Sequence, residues 1–411
     1  MEFGPQPLDR RKWSVVESLV FFLFFLVMVF LYLERLFLNR QAARIRWRIA
    51  VTGTRGKSTV TRLVAAALRE AHFSVLAKTT GSKPVLILPD GQEEEVRRSG
   101  RPTVLEQKKI VARGARLGVD SLVVEMMSIQ PECLRVESHR LLKPHLLVMT
   151  NVRVDHRPEQ GRSKQEITQS FSSSIPPHAT VFLLEEELRP EIETTAARMG
   201  ARIVVARKKS VNDHLDSSKN LWLSLEENTR LALAVTDFLG VPRETAWRGF
   251  GKAKPDFGGL KAWRMELGHP PAPWILVSAF AANEPESTTI VLSYVKKRLA
   301  SVHQKIIGVL NLRPDRGDRS LQWMEACADG FLLALEKLYV VGGHVRSFQW
   351  KKLARAAEKV ILFGSTSPQQ IMARIVADEP SGAILFGLGN MGGLGARLVE
   401  LWEEKGDPYA I

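Results

Sequence analysis

Cysteine is nearly missing from this chain: Cys133 and Cys327 are the two among 411 residues. Two thiols can build neither a disulfide framework nor a four-ligand zinc site, so a folded body in a reducing compartment is expected. Internal repeats and low-complexity tracts are absent as well, which excludes a solenoid or a bulk linker. No nucleic-acid-binding motif accompanies the basic residues, so nucleic acid is not an expected partner. Positive charge, by contrast, is plentiful: 58 Lys and Arg against 44 Asp and Glu give a net +14. It gathers at Arg10, Arg11 and Lys12, at Arg40, Arg44, Arg46 and Arg48, and over residues 97–116. Such clusters are either solvated faces and membrane-flanking charge, or attraction to an anionic partner: lipid head groups, a nucleotide or an acidic polymer. Ordinary shares of hydrophobic (45%) and charged (25%) residues leave room for two or three globular domains.

One long apolar run stands near the start, VVESLVFFLFFLVMVFLYL at residues 15–33, interrupted only by Glu17. At ~1.5 Å per residue it spans roughly 29 Å, close to a hydrocarbon core of about 30 Å. A removable signal peptide needs a small-residue cleavage site, and ERLFLNRQAARIRWR follows instead. Its five arginines outnumber the three basic residues before the run, so the positive-inside rule keeps the large C-terminal part cytoplasmic.

From residue 45 the pattern is α/β. Residues 45–52 are strand-like and run into a glycine loop. Residues 58–71 then place Val60, Leu63, Val64, Ala67 and Leu68 at the spacing of a buried helix face. Strand-like runs at 121–125, 145–149, 181–184 and 203–206 alternate with helical patterns, which predicts a mostly parallel sheet. Residues 85–96, with a PDG turn, read as a surface hairpin. Proline and glycine concentrate at 252–273, a boundary, and the alternation restarts with strands near 274–280, 305–311, 337–341, 359–363 and 383–387. That is a second, smaller, Rossmann-like α/β domain.

Gly53-Thr54-Arg55-Gly56-Lys57-Ser58-Thr59 carries the strongest chemical signal. Glycines let backbone N–H groups wrap phosphate oxygens, and the following helix points its positive end at them. In such a P-loop Lys57 reaches the β- and γ-phosphates and Ser58 holds Mg²⁺, so ATP and Mg²⁺ are the expected cofactors. A standard loop would have its first glycine where Val51 stands. The tighter spacing resembles that of Mur-type ligases, and further motifs agree. VVEMMS at 123–128 resembles their strand-end glutamate, and TNVRVDH at 150–156 resembles their TNxxxDH. Alone, Glu125 is an ordinary strand-end acid and His156 a surface histidine. By the resemblance Glu125 is a Mg²⁺ ligand, His156 a ligand to a second metal and Asp155 its support. Gly53, Glu125 and Asn151 all fall at strand carboxyl ends, where ligands of an open parallel sheet gather.

GTRGKSTVTRL, KTTG, EQK at 106–108, EENTRLALAV from 226, FAANEPEST from 280, LRPDRGDR from 312 and GLGNMGG from 387 narrow the likeness. With the short membrane run, they resemble the poly-γ-glutamate synthase ligase family (PgsB/CapB) over nearly the whole chain. That resemblance implies a ligase which activates a glutamate or poly-γ-glutamate carboxylate as an acyl phosphate and joins it to an amino group. Asn228 is then a nucleotide contact, and Arg313, Arg316 and Arg319 close over ATP, with Arg316 catalytic. Implied partners are glutamate, its polymer, the membrane, small integral-membrane and surface subunits, and a second copy of the chain. The expected organisation is an N-terminal segment (1–14), a transmembrane helix (15–38), a basic linker (39–48), an ATP-binding domain (49–262) and a C-terminal α/β domain (263–411).

Departures from the Mur pattern argue against peptidoglycan-precursor synthesis. The membrane run leads almost directly into the ATPase region, where a uridine-nucleotide domain would stand. Gln160 replaces the second histidine, and the usual carboxylated lysine position falls on Ser170. Two rivals are a folylpolyglutamate-type ligase, disfavoured by the span, and a membrane-anchored P-loop ATPase regulating polymer export. A tyrosine autokinase of the latter kind would show a full loop and a tyrosine-rich tail, against Val51 and four tyrosines here.

Overall fold

The computed structural model describes residues 10–81, 84–98, 100, 102–153, 160–161, 163–208, 226–254, 259–302, 305–343, 357–363, 367–409 and 411. Helix α1 (Arg10–Ala43) contains neither glycine nor proline and runs unbroken. Its part from Val15 to Ala43 is long and apolar enough to cross a membrane. The apolar side chains along residues 15–33 face outward, whereas Leu38, Ala42 and then Ile45 sink into the core of the following domain. Residues 39–43, expected as linker, are therefore helix packed on the domain.

Among the described residues the central sheet has eight strands: β1 (Trp47–Thr52), β2 (Val75–Thr79), β3 (Val85–Ile87), β4 (Glu93–Glu95), β5 (Ser121–Glu125), β6 (Leu146–Met149), β7 (Thr180–Leu184) and β8 (Arg202–Ala206). Their order is β4-β3-β2-β5-β1-β6-β7-β8, parallel from β2 to β8, with β3 antiparallel to both β2 and β4 at one edge. That hairpin was expected on the surface, but β3 is fully buried against β2 and only β4 is exposed. The Val85-Leu86-Ile87 run extends the sheet because all three side chains find core.

Helices α2 (Lys57–Glu70), α3 (Glu106–Leu117), α4 (Pro131–Val136), α5 (Lys164–Ser172), α6 (Pro190–Met199), α7 (Glu226–Phe238) and α8 (Arg243–Lys252) accompany the sheet. Two apolar cores result, one with α2, the other with α3 and the buried end of α1. A fully buried Leu or Val side chain contributes about 1.5–3 kcal/mol relative to exposure, so these two layers carry the domain.

The second sheet comprises β9 (Lys261–Leu267), β10 (Ala272–Ser278), β11 (Ile306–Leu312), β12 (Lys337–Gly342), β13 (Val360–Leu362), β14 (Ile384–Gly389) and β15 (Asp407–Pro408), ordered β13-β12-β11-β14-β10-β9-β15. Helices α9 (Pro285–Arg298), α10 (Gly317–Ala328), α11 (Pro368–Asp378) and α12 (Leu394–Lys405) flank it, with Trp274, Trp323 and Trp402 fully buried. Strand β9 was not anticipated. It lies inside the stretch read as a boundary and pairs antiparallel with β10. Its seven residues mix polar and apolar side chains, and the Gly268–Pro271 stretch after it is the turn to β10 rather than a linker.

Candidate active site

Register decides what meets what. β1 lies between β5 and β6, with Val51 opposite Glu125 and Thr52 opposite Met149. The carboxyl ends of three parallel strands therefore open at one place, and each is followed by a chemically distinctive segment.

After β1 comes the glycine loop. Gly53 has φ +121°, and a Cβ there would stand 2.2 Å from the Thr150 hydroxyl oxygen. Gly56 caps α2 at φ +81°, and its Cβ would stand 2.1 Å from Asn228 Oδ1. No side chain fits at either position, so backbone amides can approach a ligand closely. Lys57 arches back over the loop, its Nζ donating to the carbonyls of Gly53 (2.7 Å) and Thr54 (3.1 Å). Asn151, after β6, clamps the loop from below. Its Oδ1 accepts from Arg55 N (3.0 Å), its Nδ2 donates to Arg55 O (3.3 Å), and its carbonyl accepts from Thr54 N (2.9 Å).

After β5 comes Glu125. Its Oε2 accepts from the Ser58 hydroxyl and from Thr80 N, both at 2.7 Å. A hydroxyl and a carboxylate side by side form an all-oxygen donor pair, which suits a hard cation that keeps several waters or phosphate oxygens. His156 and Asp155 lie outside the described residues. Among the described residues no cluster of three or more His, Cys, Asp or Glu side chains is present.

A buried polar network supports this wall. Lys78, fully buried, pairs with Glu106 and donates to Gln107 Oε1 (3.1 Å). Burial pushes the Lys78 ammonium below the usual lysine range, opposed by Glu106. Burial raises Glu106, but hydrogen bonds from Arg98 and Lys78 outweigh it and hold the carboxyl below its usual range. Glu137, also fully buried, accepts from the backbone N–H groups of Met127 and Ser128 and from Gln107 Nε2. The turn after Glu125 is thus fixed from behind.

The C-terminal domain supplies the opposite wall. Arg55 reaches across to Asn283 Oδ1 and to Glu284 (3.6 Å), and Glu284 caps α9. Arg153 donates to Ser287 Oγ (2.6 Å) and to Glu227 (3.2 Å). Arg313 pairs in a fork with Asp315, and buried Arg319 donates to Asn390 Oδ1 (3.3 Å). Between the walls is a cleft of about 710 Å³. Residues 53–59, Glu125, Arg313, Arg316 and Arg319 line it, so these sequence-chosen residues do converge. Asn228 instead lines an adjoining chamber of about 340 Å³ with Leu260, Ile290, Val291 and Tyr294. Arg55, Gly56 and Thr59 form the ridge common to both.

Several contributors went unrecognised in the sequence. Thr80, from the KTTG segment, acts through its backbone, which no side-chain pattern reveals. Arg153 and Asn283 act across the domain gap. Gln160, read only as a missing histidine, lines the cleft and donates to Ile129 O (3.2 Å). Asn390 of the GLGN turn lines it as well.

Two family models match the chain. The Mur ligase middle domain covers residues 51–229, and the poly-gamma-glutamate synthase CapB C-terminal domain covers residues 265–405. A capsule biosynthesis protein CapB of Bacillus anthracis is 31% identical over 278 residues, 67% of this chain and 59% of that protein. The chain thus spans less than two thirds of that relative. A PGA synthase CapB of Bacillus subtilis (strain 168) is 29% identical over 361 residues, 86% of this chain and 89% of that one. Among solved structures, MurF from Acinetobacter baumannii aligns at TM-score 0.63 with 16% identity, over 89% of this chain and 78% of that one. E. coli FolC in complex with DHPP and ADP aligns at 0.62 with 15% identity, over 90% and 92%. At these identities the solved structures establish the fold alone.

Proposed function

The chain belongs to the CapB family of Mur-type ligases, and from that premise we propose that it is a membrane-anchored, ATP-dependent amide ligase that lengthens poly-γ-glutamate. The observation that carries this reading is the cleft itself. A glycine loop and the Ser58–Glu125 oxygen pair form one wall, and Arg313, Arg316 and Arg319 face them from the other.

The smaller chamber, lined by Tyr294, Ile290 and Leu260, suits the base and sugar of ATP, with Asn228 at its polar end. Phosphates then cross the Arg55–Gly56 ridge into the larger cleft. There the γ-phosphoryl group passes from ATP to a glutamyl carboxylate: its bond to the β,γ-bridging oxygen breaks, ADP leaves with that electron pair, and an acyl phosphate bond forms. An amino group next attacks the acyl carbon. A C–N bond forms, phosphate leaves with the C–O electron pair, and the amine gives up a proton.

The protein's part is positioning and electrostatics, as phosphoryl transfer requires. Lys57 turns from the loop carbonyls to the phosphates, and the three arginines meet carboxylate and phosphoryl oxygens. Ser58 and Glu125 fit Mg²⁺, which when bound neutralises charge on the β- and γ-phosphates. His156 is assigned to a second metal and Asp155 to its support. Helix α1 spans the membrane, with everything after it cytoplasmic. Small integral-membrane and surface subunits take the polyanion onward, and the complex contains the chain in one or more copies.

The test is ADP release with and without glutamate, using the wild-type chain and Lys57→Ala. Release should depend on glutamate and fall by ~10² to 10³ in the variant, as for loss of a transition-state donor. Glutamate-independent ADP release, or normal turnover by folded Lys57→Ala, would sink the reading.

A further inference from the structure

Helix α1 enters the catalytic body without a tether. Two side-chain contacts fix it just beyond the apolar stretch. Glu34 accepts from Lys108 Nζ of α3 (2.8 Å), and Asn39 accepts from Lys143 Nζ, at the end of the π-helical turn Glu137–Leu142. Arg48 rivets the same junction, donating to the carbonyls of Ala42 and Ile45 and to those of Leu142 and Lys143. The span and the domain therefore have one fixed relation.

That relation sets what lies at head-group depth. From Leu33 to Asn39 the helix rises about 9 Å, and the polar layer beyond the hydrocarbon is roughly 5–8 Å thick on each side. Lys108 on Glu34 and Lys143 on Asn39 must sit within or against that layer. Both are half-buried, and exposed Arg35 and Arg140 lie close enough to Lys143 for their charges to act on it. Lys143 is where the charge crowds: burial first, then neighbouring Arg35, Arg140 and Arg48, push its ammonium below the usual lysine range. Glu34 is already paired with Lys108, so the rim as a whole awaits an anion.

We propose that this rim of Arg35, Lys108, Arg140 and Lys143 docks the catalytic body onto the phosphate groups of anionic phospholipids. The polymer's carboxylates are the other anion at hand, but they belong at the far edge. β1 leads from the helix junction at Trp47 to the glycine loop after Thr52, about 17 Å at ~3.3 Å per residue. Docking therefore keeps the glycine loop about 17 Å along β1 from the docked rim.

The inference rests on α1 being a membrane span. The full-length chain is reconstituted in nanodiscs of phosphatidylcholine alone, or of phosphatidylcholine with phosphatidylglycerol, and amide hydrogen exchange is followed at residues 106–109 and 137–143. Insertion is checked separately by alkaline carbonate extraction of proteoliposomes. Protection should appear only with phosphatidylglycerol and vanish in high salt. In Arg35→Gln/Arg140→Gln it should fall by roughly tenfold, with ATP turnover in detergent unchanged. Extraction by carbonate would overturn the span and the docking with it. Firm insertion with equal exchange in both lipids, or undiminished protection in the variant, would overturn the docking alone.

Discussion

Glu125 shows how one side chain is made ready for chemistry. It ends a strand buried on both faces, and three segments far apart in sequence meet at its carboxylate: β5 itself, Ser58 of the glycine loop and Thr80 of the KTTG segment. A carboxylate held this way keeps an oxygen aimed into the cleft without rearrangement. An amide of the same shape keeps the packing but is a poorer ligand for a hard cation. Glu125→Gln should therefore raise the Mg²⁺ concentration for half-maximal ADP release by roughly 10- to 100-fold, with little change in glutamate dependence. An unchanged Mg²⁺ titration would reduce Glu125 to a strand-end acid.

At the scale of elements, the sequence marks strands and helices well where period and punctuation agree. The helix read at 58–71 and the strand read at 121–125 appear as Lys57–Glu70 and Ser121–Glu125. The convergence of Gly53, Glu125 and Asn151 follows from their all being strand ends of one parallel sheet. What stayed hidden was of two kinds. β9 is obscured by the prolines and glycines on both sides of it, and the KTTG segment works through a backbone N–H and a buried lysine. Lys78 is the more consequential case, since its ammonium is fully buried and depends on Glu106 and Gln107. Removing one partner of a buried pair typically costs 3–5 kcal/mol. Arg98 still partners Glu106, so Lys78→Met should cost about 3 kcal/mol, read from denaturant midpoints.

Helix α5 makes a second argument from register. Many Mur-type ligases hold a metal with a carbamylated lysine, and the counted position here is Ser170. Ser170 is buried, whereas Lys164 is exposed, six residues earlier on the same helix. At ~3.6 residues per turn the two lie on different faces. A hydroxyl forms no carbamate, so activity should be indifferent to bicarbonate depletion, and Lys164→Ala should keep turnover within about threefold of wild type. Loss of activity in Lys164→Ala, rescued by short carboxylic acids, would make Lys164 the carbamate lysine after all.

The whole molecule is two sheets closed over a cleft, clasped by Arg55 and Arg153, and carried on a helix whose last turns belong to the first domain's core. This construction links nucleotide chemistry to membrane topology. Because Leu38, Ala42 and Ile45 are core residues, a membrane crossed by the proposed span would hold the first domain on the same side as Ala43. With arginines at 35, 40, 44, 46 and 48, the positive-inside rule makes that side the cytoplasm under the proposed function, where the ATP it requires is made. In a chain with Cys133 replaced and Ile411→Cys introduced, a membrane-impermeant maleimide should leave intact cells unlabelled and label the same cells once permeabilised. The buried Cys327, its thiol pushed up to about 12 by desolvation, stays silent in both. Labelling of intact cells would put the cleft outside, away from its ATP, and the ligase reading would fall together with the orientation.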